Sequence, residues 1–126
     1  MSETRFAVIL RPDGSSDVIE WPAELAAGLD VLAQELGTHS ITAYGLWDSC
    51  SLWTDAEAVQ GTAPLNQAAE NVHSAFHYDA QKYYGTVVVT GELSEDGTHA
   101  DGLPLRACGG FLGLAAQIPH PRPRTK

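Results

Sequence analysis

The strongest pattern along the chain is the uncharged run Tyr83-Tyr84-Gly85-Thr86-Val87-Val88-Val89-Thr90-Gly91, β-branched and aromatic residues between glycines. Its composition is that of a strand. From Tyr84 to Thr90 it shows no polar/apolar alternation, which predicts a strand covered on both faces and central in its sheet. Phe6 to Arg11 reads as a first strand, Pro12-Asp13-Gly14 as a turn, and Val18-Ile19-Glu20-Trp21 as the returning strand of a hairpin. Leucines at 25, 29, 32 and 36 follow Pro22, an apolar stripe at helical spacing, and Gly37 is placed to end that helix in a left-handed cap.

His39 to Trp47 predicts a third strand and Leu52-Trp53-Thr54 a short fourth, with the polar turn Asp48-Ser49-Cys50-Ser51 between them. A second helix opens at Pro64-Leu65-Asn66, with Asn66 as N-cap and Leu65, Ala69, Val72 and Phe76 as its buried stripe. Glu95-Asp96-Gly97 is a turn. The stretch from Leu103 to Ile118 fits either a short helix or an apolar cover, since Gly109, Gly110 and Gly113 disfavour a regular helix. The expected fold is α+β: one compact domain over residues 1–118, a mostly antiparallel sheet with two helices packed against it, and a mobile Pro/Arg tail over 119–126.

Charge changes this picture most. The chain carries a formal net charge of -9, and three of its seven basic residues (Arg122, Arg124 and Lys126) fall in the last five positions. Up to Pro119 the body has four basic against sixteen acidic residues, a balance of -12. Such a body repels phosphate backbones and anionic lipid, which argues against direct nucleic-acid or membrane binding. Solubility is the plain reading of the charge, and imitation of nucleic acid toward a basic partner the sharper one. Glu92, Glu95, Asp96 and Asp101 concentrate four carboxylates within ten residues and are the candidate contact surface for such a partner. No apolar run approaches the ~20 residues that cross a bilayer, and Met1-Ser2-Glu3-Thr4-Arg5 has no signal pattern. A cytoplasmic protein is expected, with Cys50 and Cys108 as free thiols.

No cofactor motif is present, and candidate chemistry is sparse. His73 and His77 stand four apart, the spacing that shares a helix face and can hold a metal, with Glu70 and Asp79 nearby. His73-Ser74-Ala75-Phe76-His77 lacks the glutamate that follows the first histidine in metalloprotease helices, so exposed or capping histidines are the simpler reading. Cys50 has no nucleophile signature around it. Gly109-Gly110-Phe111-Leu112-Gly113 lacks the lysine and preceding strand of a phosphate loop. Among the aromatics, Trp47 and Trp53 flank the turn containing Asp48, and tryptophan is enriched at binding hot spots. These three residues are candidates for a contact surface at a sheet edge.

In their order, several stretches resemble a small family known mainly as a domain of unknown function, found in phages, plasmids and actinobacterial chromosomes. They are the Pro12-Asp13-Gly14 hairpin, the helix ending Leu36-Gly37, and Leu46-Trp47-Asp48 followed by Leu52-Trp53-Thr54-Asp55. Pro64-Leu65-Asn66-Gln67-Ala68-Ala69 and, above all, Tyr84 to Gly91 complete the set, which covers about residues 5 to 105. The resemblance implies a genetic setting and transfers no catalytic residues. Two functions follow from different classes. One is a non-enzymatic module that binds and modulates a host or element-encoded protein, with countering host defence as a natural purpose. The other is a small-ligand-binding protein or small hydrolase with a pocket beside the central strand, using His73, His77 or Asp48.

Overall fold

A computed structural model describes residues 4–22, 24–46, 50–76, 81–92 and 100–116. Among these residues five strands form one sheet: β1 (Phe6–Leu10), β2 (Ser16–Glu20), β3 (Ile41–Leu46), β4 (Cys50–Asp55) and β5 (Val87–Thr90), in the order β2-β1-β5-β4-β3. Every neighbouring pair is antiparallel. The uncharged valine run is therefore the middle strand, as its unbroken apolar pattern predicts. Val87, Val88 and Val89 are all fully buried.

Alternation along β1 shows why both faces are dry. Val8 and Leu10 join one apolar cluster, while Ala7 and Ile9 join another on the opposite face. The first cluster is roofed by α2 (Gln67–Ser74) and α3 (Leu105–Ala115) through Ala69, Val72, Cys108 and Phe111. The second is covered by α1 (Leu25–Leu36) through Leu32, with Trp21 and Trp53 beneath it. The described residues thus hold three helices around the sheet, one more than the sequence pattern predicts. The third is α3. Its glycines 109, 110 and 113 all face solvent, where they cost propensity without leaving holes, while Cys108 and Phe111 are buried. Packing of that face outweighs the weak propensity.

The first hairpin closes as expected, with Gly14 at φ 90° and its N–H donating to Arg11 O over 3.0 Å. Arg11 then ties the hairpin to α1, pairing with Asp17 at 2.7 Å and reaching Glu35 at 3.9 Å. Gly37 ends α1 at φ 74°, donating its N–H to Ala33 O. The leucine stripe of α1 needs one correction, because Leu29 is 41% exposed. Trp21 sits under the helix at Gly28, where a Cβ would stand 2.7 Å from the indole. The helix therefore rests on Gly28 and Leu32, and this rotation turns Leu29 outward. Leu65 is likewise 40% exposed, not part of the buried stripe of α2. It precedes the N-cap and bridges to Tyr84, outside the helical periodicity.

Asn66 locks the two halves of the sheet together. Its side-chain oxygen accepts from Ala69 N over 3.0 Å, capping α2 as the sequence predicts. Its amide group donates to Leu10 O over 2.9 Å and to Gly85 O over 2.8 Å. Its backbone N–H donates to Tyr83 O over 2.7 Å.

Two substitutions test this architecture. Asn66→Ala removes the cap and leaves buried carbonyls without their donor, so a loss of about 2–4 kcal/mol is expected in denaturant unfolding. Asn66→Asp keeps the cap acceptor but turns a carboxylate toward the two carbonyls, and should be at least as damaging at pH 7. Equal stability of the wild type and Asn66→Asp would show that the amide donor does not hold the sheet. Val88→Asp places an unpaired charge in the central strand, at a cost on the order of the whole stability, and should abolish the cooperative melting transition.

Candidate functional site

The two helices on the Val8/Leu10 face do not cover the whole sheet. At the β3–β4 end, the face carrying Thr42, Tyr44 and Thr54 is bounded by the segment from Gln81 to Tyr84 and by Ala56, Ala58 and Val59. The result is an open cleft of about 230 Å³. Register explains its lining, since Thr42 pairs with Thr54 and Tyr44 with Leu52, so these residues share one face.

Behind the cleft lies an aromatic pair with a polar link. Tyr83 is 2% exposed and shares a 2.8 Å hydrogen bond with Nδ1 of His73. Tyr44 packs edge-on against Tyr83 with ring centroids 5.7 Å apart, and keeps 39% of its own surface exposed. At the rim, the Lys82 ammonium lies 3.9 Å from Glu70 on α2. The Asp55 carboxylate accepts from Glu57 N over 2.9 Å and so shapes the loop after β4. Chemically the cleft offers hydroxyls, one carboxylate (Asp55), one carboxamide (Gln81), one amine (Lys82) and an exposed aromatic ring. Sequence reasoning missed it, because Thr42, Tyr44 and Tyr83 come together only through strand register and the return of the chain before β5.

The sequence-predicted residues fall differently. Trp53 is a core residue, not a surface one. It is 6% exposed, and its indole N–H donates to Thr90 Oγ1 over 2.7 Å on the face that α1 covers. A sheet covered on both faces buries that side chain, which the sequence placed at an edge. Trp47 and Asp48 lie outside the described residues. His73 is buried at 6% exposure, not exposed or capping, because α2 turns it inward toward Tyr83. Its proposed companions His77 and Asp79 lie outside the described residues. Among those that are described, no group of three His, Cys, Asp or Glu side chains is placed to hold a metal.

Of the four clustered carboxylates, Glu92 and Asp101 are exposed and brought side by side, with Asp101 N–H donating to Glu92 O over 3.1 Å. Glu95 and Asp96 lie outside the described residues. Cys50 and Cys108 are free and buried in the same cluster. Burial pushes the Cys50 thiol up to about 12 and raises that of Cys108 as well, the opposite of what a nucleophile needs. A second, more apolar depression of about 450 Å³ lies between the first turn and the ends of α2 and α3, and its polar lining is engaged within the fold, Gln67 with Asn71, Asn71 with Ala115 O and Ser15 with Asp13. No helix among the described residues is long and apolar enough to cross a membrane.

These placements predict two behaviours. Tyr83→Phe removes the hydrogen bond to His73, and should lower unfolding free energy by about 1–3 kcal/mol without changing the fold. Neither thiol should react with Ellman's reagent until the protein unfolds. Because the Cys50 thiol ionises near 9 in the unfolded chain and near 12 in the folded one, its contribution is complete below pH 9. That contribution should be lost as pH rises from 9 toward 12, and Cys50→Ala should flatten that limb of the stability curve.

Residues 4–108 match a family model described as a domain of unknown function, DUF3846. No curated protein and no solved structure matches the chain. The match takes in every strand, α1 and α2, the Asn66 junction and the cleft, and it stops within α3. The chain belongs to the DUF3846 family.

Proposed function

We propose that the protein is a non-enzymatic accessory protein of a mobile element, phage or plasmid, that binds and modulates a host or element-encoded protein. Countering a host defence is a natural purpose for such a module. The genetic setting follows from the family resemblance. The observation that carries the binding reading is an unbalanced acidic surface. Asp17, Glu20, Glu24 and Asp30 are exposed on β2 and at α1, and Glu92 and Asp101 just beyond β5. Of the four basic residues in the body, Arg11 is already held by Asp17 and Glu35, and Lys82 stands near Glu70. A surface of this sign draws basic partners, including proteins whose basic sites otherwise hold nucleic acid, and speeds their encounter.

A second reading, a small-ligand-binding protein, is favoured by the cleft at Tyr44 and Tyr83. It gains less support as a hydrolase, since the ionisable pair behind the cleft, His73 and Tyr83, is buried.

The test is capture from host lysate at low and high salt, with mass spectrometry of bound proteins and small molecules. Capture should weaken as salt rises. Combined Glu92→Gln, Glu95→Gln, Asp96→Asn and Asp101→Asn should abolish it while changing folding by no more than about 0.5 kcal/mol per site. Retained capture with unchanged salt dependence would rule the carboxylates from Glu92 to Asp101 out as the contact surface. A small molecule co-purifying with the wild type and lost in Tyr44→Ala would favour the second reading.

A further inference from the structure

The sheet has two edges, and they are built differently. β2 carries Asp17 and Glu20, charges of the kind that discourage another strand from pairing. β3, at the other edge, reads Ile-Thr-Ala-Tyr-Gly-Leu and has no charge along its six residues. Its Gly45 is exposed, with nothing within 4 Å of where a Cβ would stand, so no side chain shields the backbone there. The two faces of β3 also differ. Ile41 and Ala43 pack against the apolar cluster under α1, while Thr42 and Tyr44 line the polar cleft.

We infer that β3 is a docking edge for an extended segment of another protein that alternates apolar and basic side chains. This inference rests on the protein-binding reading above and names how the partner is held. A strand added to β3 gains main-chain hydrogen bonds, and its alternating side chains fall on the two faces in turn. On the α1 side they meet Ile41 and Ala43, which favours apolar residues. On the cleft side they meet the exposed ring of Tyr44, whose face attracts an ammonium or guanidinium. Charge selects the same partner. Ala56 N–H donates to Ser40 O, which sets Asp55 and Glu57 at the start of β3, and the chain as a whole carries -9. Two copies pairing edge to edge would bring like charges together, so the occupant is a cationic strand and not a second copy.

The probe is a dye-labelled acetyl-Val-Lys-Val-Lys-Val-Lys amide, measured by fluorescence anisotropy against wild-type protein. A fully N-methylated peptide with the same side chains and charge is the comparison. The N-methylated peptide should bind at least about tenfold more weakly, since it cannot donate to an edge. Tyr44→Lys should cost the unmodified peptide a similar factor, while Val18→Lys on the opposite edge leaves its binding unchanged. The peptide comparison uses the wild type alone and so does not depend on any variant folding.

Equal binding of the two peptides, no binding of either, or equal loss from Val18→Lys and Tyr44→Lys would overturn the docking edge. So would sedimentation showing a wild-type dimer that Tyr44→Lys dissociates. Salt-sensitive capture of a cellular partner that survives Tyr44→Lys would sink the edge and leave the acidic-surface reading standing. Peptide binding at β3 together with capture indifferent to the four neutralised carboxylates would support the edge and sink that reading.

Discussion

Asn66 carries the constraint on which the remaining structure depends. It is fully buried, and its side-chain amide serves three backbone groups, in the first turn of α2, at the end of β1 and at Gly85 just ahead of β5, while its own backbone N–H donates to Tyr83 O. In this sheet the middle strand is what joins the β1–β2 hairpin to the β3–β4 pair. β5 has only four residues and lies between β1 and β4, which come from distant parts of the chain. Fixing Gly85 and Leu10 to the same side chain sets the register of β5 against β1. It also aims α2 across the sheet, so Ala69 and Val72 meet the valines. An apolar residue at 66 would supply volume but leave those carbonyls buried without a donor, which costs more than a typical hydrogen bond contributes.

Covering both faces explains several local choices. Trp21 and Trp53 lie on the α1 side, and each buries a polar tip, met by Ala100 O at 2.8 Å and Thr90 Oγ1 at 2.7 Å. Large rings in a thin layer leave little room nearby, and glycines take up the shortage. A Cβ at Gly102 would stand 2.4 Å from that of Arg5 and 3.1 Å from Trp21, and one at Gly28 would enter the indole. The returning segment Ala100–Leu103 closes this side against Phe6 and Gly91 through backbone hydrogen bonds.

Much of this was legible in the sequence, and the failures share a cause. The order of strands and of the first two helices, the Gly37 cap, the Asn66 cap, the first turn and the central place of the valine run follow from local patterns, but β4 already begins at Cys50, where a polar turn is expected, and β5 begins only at Val87 and not at Tyr84. Periodicity and capping are written within a few residues of where they act. The burial of Trp53 and His73, the outward turn of Leu29 and the formation of α3 depend on partners many positions away. A tryptophan beside a turn has the same local signal whether it faces solvent or lies under a helix. The glycines of α3 argue against a helix only until Phe111 and Cys108 have a core to enter. The candidate site was less legible still, since its lining comes from three separate segments joined by register.

The same geometry separates what the acidic charge does from what the sheet edge does. Carboxylates on β2 and α1 act at a distance, through a field that added salt screens, and they carry little directional information. β3 offers the reverse: directional donors and acceptors, two chemically different faces and no charge of its own. A surface with only the first property would attract any basic protein. One with only the second would be open to pairing with copies of itself. Under the docking proposal the two are joined in one small body, the net charge opposing self-pairing and the uncharged edge supplying selectivity. Under that proposal the unequal edges have a reason, because charges like those on β2 would discourage the strand pairing that a docking edge needs.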